Sequence, residues 1–216
     1  MSKVAVLGSG TVGEILSGGF LKHGHSVMRA SREPEKLAGW KSGAGANAHT
    51  GTFSEAAAWG QVVVLAVKGT ASESAIKLAG ASNLDGKTVI DATNPIADLP
   101  PENGVLRYFT THDQSLMERL QKQVPGAHFV KAFSSVGGAF MVNPTFPGGP
   151  PTMFICGNDA GAKAETTKIL EQFGWETADM GAVEAARAIE PLCMLWCIPG
   201  LSRGSWAHAF KLLTLK

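Results

Sequence analysis

Three cysteines in 216 residues, Cys156, Cys193 and Cys197, are too few for a disulfide framework. Neither sign of charge dominates: 19 basic and 18 acidic residues leave a formal net charge of +1. Bulk attraction to nucleic acid or to an anionic membrane is therefore not expected. No hydrophobic run is long enough to cross a bilayer; the most apolar stretch, Ile189 to Leu201, is short and holds Pro191 and Pro199. The chain opens directly on its first apolar run, with no basic, serine-rich presequence, and carries no internal repeat or low-complexity tract. Nor is there a Ser-His-Asp grouping, a close carboxylate pair or a metal-ligand cluster. His23 and His25 flank Gly24 as at a helix stop, and Cys193 and Cys197, spaced i, i+4, lack a second pair or nearby histidines. The expectation is a soluble cytoplasmic protein with no metal, no nucleic-acid partner and no membrane partner.

What is present is concentrated in the first thirty-six residues. Val4-Ala5-Val6-Leu7 leads into Gly8-Ser9-Gly10-Thr11-Val12-Gly13, then into an apolar-periodic segment through Ile15, Leu16, Phe20 and Leu21, then into Ser26-Val27-Met28. That order is strand, tight turn, helix, strand. In a G-x-G-x-x-G turn of this context, Gly8 permits the sharp turn and Gly10 lets the backbone approach a pyrophosphate. Gly13 lets the helix lie close to the strand. A helix beginning near Thr11 aims unpaired N–H groups and a partial positive charge at that pyrophosphate.

The end of the second strand selects the dinucleotide. An NAD site wants an acidic side chain there to hold the ribose 2′-hydroxyl. This chain reads Ala30-Ser31-Arg32-Glu33-Pro34-Glu35-Lys36. A serine hydroxyl, a guanidinium and Lys36 one helical turn on suit a 2′-phosphate, so NADP(H) is expected. Ser31 also suits a helix N-cap, with Glu33, Pro34 and Glu35 in the first turn, and the two readings are compatible.

Beyond Lys36, apolar runs alternate with helical patterns: a short strand near Ala46–His49, a helix over Phe53–Trp59 and a fully apolar strand over Val62–Val67. After these come a helix over Ala71–Ala79, a strand over Thr88–Asp91, a helix over His112–Gln123 and a strand over His128–Phe133. This alternation specifies an α/β fold, a Rossmann-like doubly wound parallel sheet. Ligands in such sheets sit beyond the carboxyl ends of the strands, which singles out the loops 66–70, 92–96 and 132–138. Residues 134–151 are rich in glycine and proline and suit a lid or pocket wall. Next comes a small strand-helix-strand unit over Met153–Cys156, Asp159–Phe173 and Trp175–Met180. A helix over Ala182–Glu190 and a separate apolar segment from Pro191 to Leu213 close the chain. We read residues 1–135 as the NADP-binding domain and 136–216 as an extension that completes an acceptor pocket and forms a homodimer interface.

The chain resembles the small NADP-dependent oxidoreductases that reduce the deazaflavin coenzyme F420, a fold shared with the cytosolic domains of certain membrane ferric reductases. The resemblance rests on Gly8 to Gly13, Ser31-Arg32, Asp91-Ala92-Thr93-Asn94-Pro95, Val130-Lys131-Ala132-Phe133 and Ile155-Cys156-Gly157-Asn158-Asp159. To these it adds Asp179 to Arg187 and Glu190-Pro191-Leu192. It implies that Ser9, Gly10, Thr11 and Val12 wrap the pyrophosphate, and that Ser31, Arg32 and Lys36 bind the 2′-phosphate. Ala66, Val67, Lys68, Asn94 and Pro95 would line the nicotinamide side, with Ala132 approaching from the sixth strand. Ser134 departs from the asparagine that many relatives carry there. The implied partner is a small-molecule redox acceptor, coenzyme F420 or a flavin.

Hydride transfer between a nicotinamide and a flavin-like ring needs stacked rings and excluded water, so no general acid is obligatory and no catalytic residue is nominated. An anionic acceptor tail calls for basic groups at the pocket rim, such as Arg107, Arg187 or Arg203. A non-catalytic NADP(H)-binding redox sensor fits the same fingerprint and stays open as an alternative.

Overall fold

The structure, a computed structural model, describes residues 1–215. Six strands, β1 (Lys3–Leu7), β2 (Ser26–Ala30), β3 (Ala48–Gly51), β4 (Val62–Leu65), β5 (Thr88–Asp91) and β6 (His128–Lys131), form one parallel sheet. Their order is β3-β2-β1-β4-β5-β6, so the direction of winding reverses between β1 and β4. The register sets Val4 beside Val27 and Val62, and Thr88 beside Val62 and His128.

Alternate strand residues face opposite sides, and both sides are covered. Ala5, Leu7, Val63 and Leu65 pack against α3 (Phe53–Trp59), α4 (Ser72–Ala79) and α6 (Leu116–Gln123) through Ala56, Ile76 and Leu120. Val4, Val6, Val62 and Val64 pack against α1 (Thr11–Lys22) and α7 (Ala160–Gln172) through Leu16, Phe20, Ile169 and Leu170. Two short helices, α2 (Ala38–Gly43) and α5 (Ala81–Leu84), fill connections. A second, two-stranded parallel sheet joins β7 (Thr152–Ile155) to β8 (Glu176–Asp179). It meets the edge of the main sheet where the Lys131 N–H donates to the Cys156 carbonyl at 3.0 Å. Burial there pushes the Cys156 thiol up to about 12, which leaves it an inert core group.

Several expected boundaries move, each for a local reason. β3 begins at Ala48 because the Ala48 N–H closes a turn onto Gly45, whose φ of 86° only glycine adopts freely. The apolar run 62–67 stops being strand at Leu65, and the chain after it bends toward Gly8. α6 begins at Leu116, since Thr111 and Gln114 bridge first and Ser115 and Glu118 then form a capping box. β6 stops at Lys131, two residues before buried Phe133 enters the left-handed region at φ 60°.

The largest correction concerns the carboxyl-terminal segment, where the sequence pattern predicts a helix and a separate apolar piece. Instead a 3₁₀ turn, Val183–Ala185, leads into one helix, α8 (Ala186–Arg203), which runs through Pro191 and Pro199. An interior proline costs a helix about 3 kcal/mol. Burial of Ile189, Cys193, Trp196 and Gly200 offsets this. After Gly204 the tail folds back: Trp196 Nε1 donates to the His208 carbonyl at 2.9 Å, and the Thr152 N–H donates to the Phe210 carbonyl at 2.9 Å.

A buried ionic network ties α8 to the sheet. Lys131 Nζ lies 2.6 Å from Asp91 Oδ2, 2.9 Å from Glu190 Oε1 and 3.0 Å from the Thr93 carbonyl, and all three charged side chains are essentially inaccessible. Glu190 also accepts the Leu116 and Met117 N–H groups at 3.0 Å each, capping α6 from another helix. Burial pulls the Lys131 ammonium down, but the two carboxylates more than reverse this and raise it above the ordinary lysine value.

Nearer the surface, Arg187 of α8 grips Glu118 of α6 at 3.0 and 3.1 Å through Nε. That guanidinium, with the Ser115 cap, holds Glu118 down at about 2. A depressed carboxyl contributes stability above its unfolded value and loses it as pH falls through the folded one. The difference in Tm between wild type and Glu118→Gln is therefore expected to be largest at neutral pH and to vanish toward a pH of about 2. Thermal melts across that range check it; a gap independent of pH contradicts it.

Candidate cofactor site

The site is built where the winding reverses, at the carboxyl ends of β1, β2 and β4. Gly8 carries the chain across the end of β4, and a Cβ on it would lie 2.2 Å from the Ala66 carbonyl oxygen. Gly13, in the first turn of α1, packs on the Gly8 carbonyl with 2.4 Å to an added Cβ. Gly10 opens onto free space. It is also the residue before α1 and offers no side chain to the helix's first N–H groups, so those of Thr11, Val12 and Gly13 are left to an external acceptor.

The underside of this loop is fixed by a residue outside the glycine fingerprint. Arg29 of β2 is 1% exposed. Its Nε donates to the Gly8 carbonyl at 3.3 Å, and its Nη2 to the Ser9 and Gly10 carbonyls at 2.7 and 3.0 Å. Nη1 pairs with Glu14 at 3.2 Å, and the guanidinium lies over Trp40, 5.3 Å from the ring centroid. Burial lowers the Arg29 pKa, while Glu14 opposes the change. Sequence reasoning missed this residue, although a signal exists: a cation inside Val27-Met28-Arg29-Ala30, in a strand with neighbours on both sides, must find partners.

Ser31, Arg32 and Lys36 stand beside the loop. Ser31 Oγ accepts the Glu33 N–H at 3.2 Å. It is not the helix N-cap that the sequence suggests: the next element is a 3₁₀ turn, Pro34–Leu37, entered from Glu33 without a side-chain cap. Arg32 is exposed and has no ion-pair partner among the described residues, whereas Lys36 pairs with Glu33 at 2.8 Å.

Ser9, Gly10, Ser31, Arg32, Lys36, Ala66, Val67 and Lys68 share one cleft of about 280 Å³. A side recess of about 420 Å³ between Arg32, Phe53 and Leu78 continues it. Gly8, Thr11, Val12 and Gly13 are not among the residues that line the cleft. Asn94 and Pro95 lie beyond its wall at the end of β5, and Ala132 is fully buried at the end of β6. Lys68 leans onto Asp98.

The strand-end loops touch in series. Gly69 abuts the Asn94 carbonyl so closely that an added Cβ would sit 1.8 Å from it. Asn94 Nδ2 donates to the Ser134 carbonyl at 2.9 Å. Asn94 Oδ1 and Ser134 Oγ are buried without a partner among the described residues. Of the basic groups expected at an acceptor rim, Arg107 pairs with Glu102 and Arg187 with Glu118, and Arg203 ends α8.

A structure from Arthrobacter sp. FB24, of a protein named as an F420-dependent NADP reductase, aligns with 99% of this chain and 100% of its own. The TM-score is 0.92 at 32% identity. A family model for coenzyme F420-dependent NADP oxidoreductases matches residues 3–95. The chain belongs to this family. The metalloreductase STEAP3 of Rattus norvegicus is 31% identical over 204 residues. That alignment takes in 92% of this chain but 38% of the relative, so the chain spans well under half of its length. A reductive aminase of Aspergillus terreus solved with NADPH and ethyl levulinate matches at 19% identity and TM-score 0.67, over 94% of this chain and 63% of its own, a likeness of fold.

Within this family of NADP-dependent oxidoreductases, the residues that carried the resemblance divide by physical job. Gly8 to Gly13, Ser31 and Arg32 build the loop and cleft, whereas Asp91, Lys131 and Glu190 are the buried ionic network. Among the described residues no cluster of His, Cys, Asp and Glu is arranged to hold a metal, and no helix is long and apolar enough to cross a membrane.

Proposed function

We propose that this protein binds NADP(H) in the cleft above Gly10 and passes hydride between its nicotinamide and a deazaflavin of the F420 type, or a flavin. The observation that carries the reading is the juxtaposition of uncapped α1 N–H groups with Ser31 and an Arg32 that has no ion-pair partner among the described residues. Ser9, Gly10, Thr11 and Val12 hold the pyrophosphate. Arg32 and the Ser31 hydroxyl hold the 2′-phosphate, with Lys36 joining once it leaves Glu33.

The nicotinamide supplies the hydride when bound. The chain orients that ring and keeps water from it. Ala66, Val67, Asn94 and Pro95 shape its pocket, with Ala132 behind and Lys68 at the edge. Asn94 Oδ1 and Ser134 Oγ, buried without a partner among the described residues, can meet a carboxamide only when the loops at 94 and 134 part to admit it. Glycines at 137 and 138, where an added Cβ would strike Trp196 and Ile15, set the wall on the acceptor side. A second copy is proposed to dock on the exposed Leu195 and Leu201 of α8, giving a cytoplasmic homodimer.

Mixing the protein with NADPH and either reagent-grade F420 or FMN, and monitoring the nicotinamide absorbance, tests the proposal. Turnover with one of them is expected. Tight NADPH binding without turnover on either would favour the redox-sensor alternative.

A further inference from the structure

Arg29 touches no expected ligand atom, yet it controls the surface a ligand would meet. Three successive carbonyls, of Gly8, Ser9 and Gly10, accept hydrogen bonds from this one guanidinium. In a planar trans peptide the C=O and the next residue's N–H point in opposite directions. Drawing those carbonyls inward therefore turns the N–H groups of Ser9, Gly10 and Thr11 outward. None of the three has a backbone partner among the described residues. Successive outward N–H groups form an anion-binding concavity.

The fork is itself locked. Glu14 of α1 pairs with Nη1, and Trp40 of α2 covers the guanidinium face. The loop is thus held from β2, α1 and α2 together, and cannot relax without breaking the hydrogen bonds that Arg29 makes to it.

From this geometry we infer that Arg29 is a positioning residue that sets the glycine-rich loop in its pyrophosphate-binding shape, for any dinucleotide. The inference rests on the proposed NADP(H) site and divides labour within it. Arg29 acts on the pyrophosphate that NADPH and NADH share, while Arg32 acts on the 2′-phosphate that NADPH alone carries. Arg29 works through the backbone; its charge alone does not suffice.

The test uses the full chain and three probes: NADPH, NADH and 2′-AMP, which keeps the 2′-phosphate but has no pyrophosphate. Titrations are run with Arg29→Met and with Arg29→Lys, which keeps the charge but not the fork. Arg29→Met is expected to weaken NADPH and NADH by a common factor of about tenfold or more, the scale of a lost charge-assisted contact. Binding of 2′-AMP should stay within about twofold, as for an independent site. Arg29→Lys should fall within about threefold of Arg29→Met, because an ammonium donates from one point, whereas Arg29 reaches Gly8 through Nε and Ser9 and Gly10 through Nη2. Should Arg29→Met not fold, Arg29→Lys carries the same test: both dinucleotides weakened together and 2′-AMP unmoved.

Full rescue by lysine overturns the fork. Parallel loss of 2′-AMP overturns a local role, and loss confined to NADPH overturns the assignment to pyrophosphate. A wild-type protein that binds neither dinucleotide defeats the proposed site itself. Normal wild-type binding with unaffected variants defeats only the role of Arg29.

Discussion

Arg32→Ala is expected to weaken NADPH binding by roughly 1.5–3 kcal/mol, the range for a hydrogen bond to a charged group, and to leave NADH binding nearly unchanged. Its neighbours at the cleft are already engaged: Ser31 Oγ accepts the Glu33 N–H and Lys36 pairs with Glu33. Among the described residues Arg32 has no ion pair to give up on meeting a 2′-phosphate, so it should dominate the preference. Ser31→Ala and Lys36→Ala should cost less, since the hydroxyl offers one neutral donor and the ammonium must first release its carboxylate. Calorimetric titration of both dinucleotides into the three variants settles the ranking. Equal losses of NADPH and NADH on Arg32→Ala would refute the assigned contact.

The second large effect lies away from the cleft. Lys131→Met leaves Asp91 and Glu190 buried side by side without their cation. Breaking a buried pair from one side costs about 3–5 kcal/mol. At about 2–4 °C per kcal/mol for a domain of this size, Tm should fall by roughly 6–20 °C. Combining Lys131→Met with Asp91→Asn and Glu190→Gln should recover most of the loss, because neutral amides need no buried cation. A deficit that persists in the triple variant would instead point to lost packing of the lysine stem.

Much of this architecture is legible in the residues alone. The β-branched runs at Val4–Leu7, Val62–Leu65 and Thr88–Asp91 sit in strands buried on both faces, and the glycine spacing marks the turn between β1 and α1. Phe53–Trp59 is helical over the expected residues because Thr52 and Glu55 cap it. What the pattern does not supply is the balance between local rules and long-range packing. Proline at 191 and 199 reads locally as a break, and only the burial of Ile189, Cys193 and Trp196 against distant elements overrides it. The start of α6 differs from the expected one although Ser115-Leu116-Met117-Glu118 spells its cap.

In the site, residue type identifies Ser31 and Arg32, but not which cations are engaged elsewhere. Lys68 and Lys36 answer to Asp98 and Glu33, partners close in sequence only in the second case. Arg29 and Lys131 are hidden for a different reason. Each is a charge within an apolar strand, and its partners come from segments that only the folded chain brings together.

The way Glu190 is wired has a consequence for protein engineering. Its carboxylate answers at once to a lysine on β6 and to the first amides of α6. The final third of the chain is therefore not a detachable cassette. A chimaera that imports α8 from another reductase should remain well folded only when the residues at 91 and 131 travel with it.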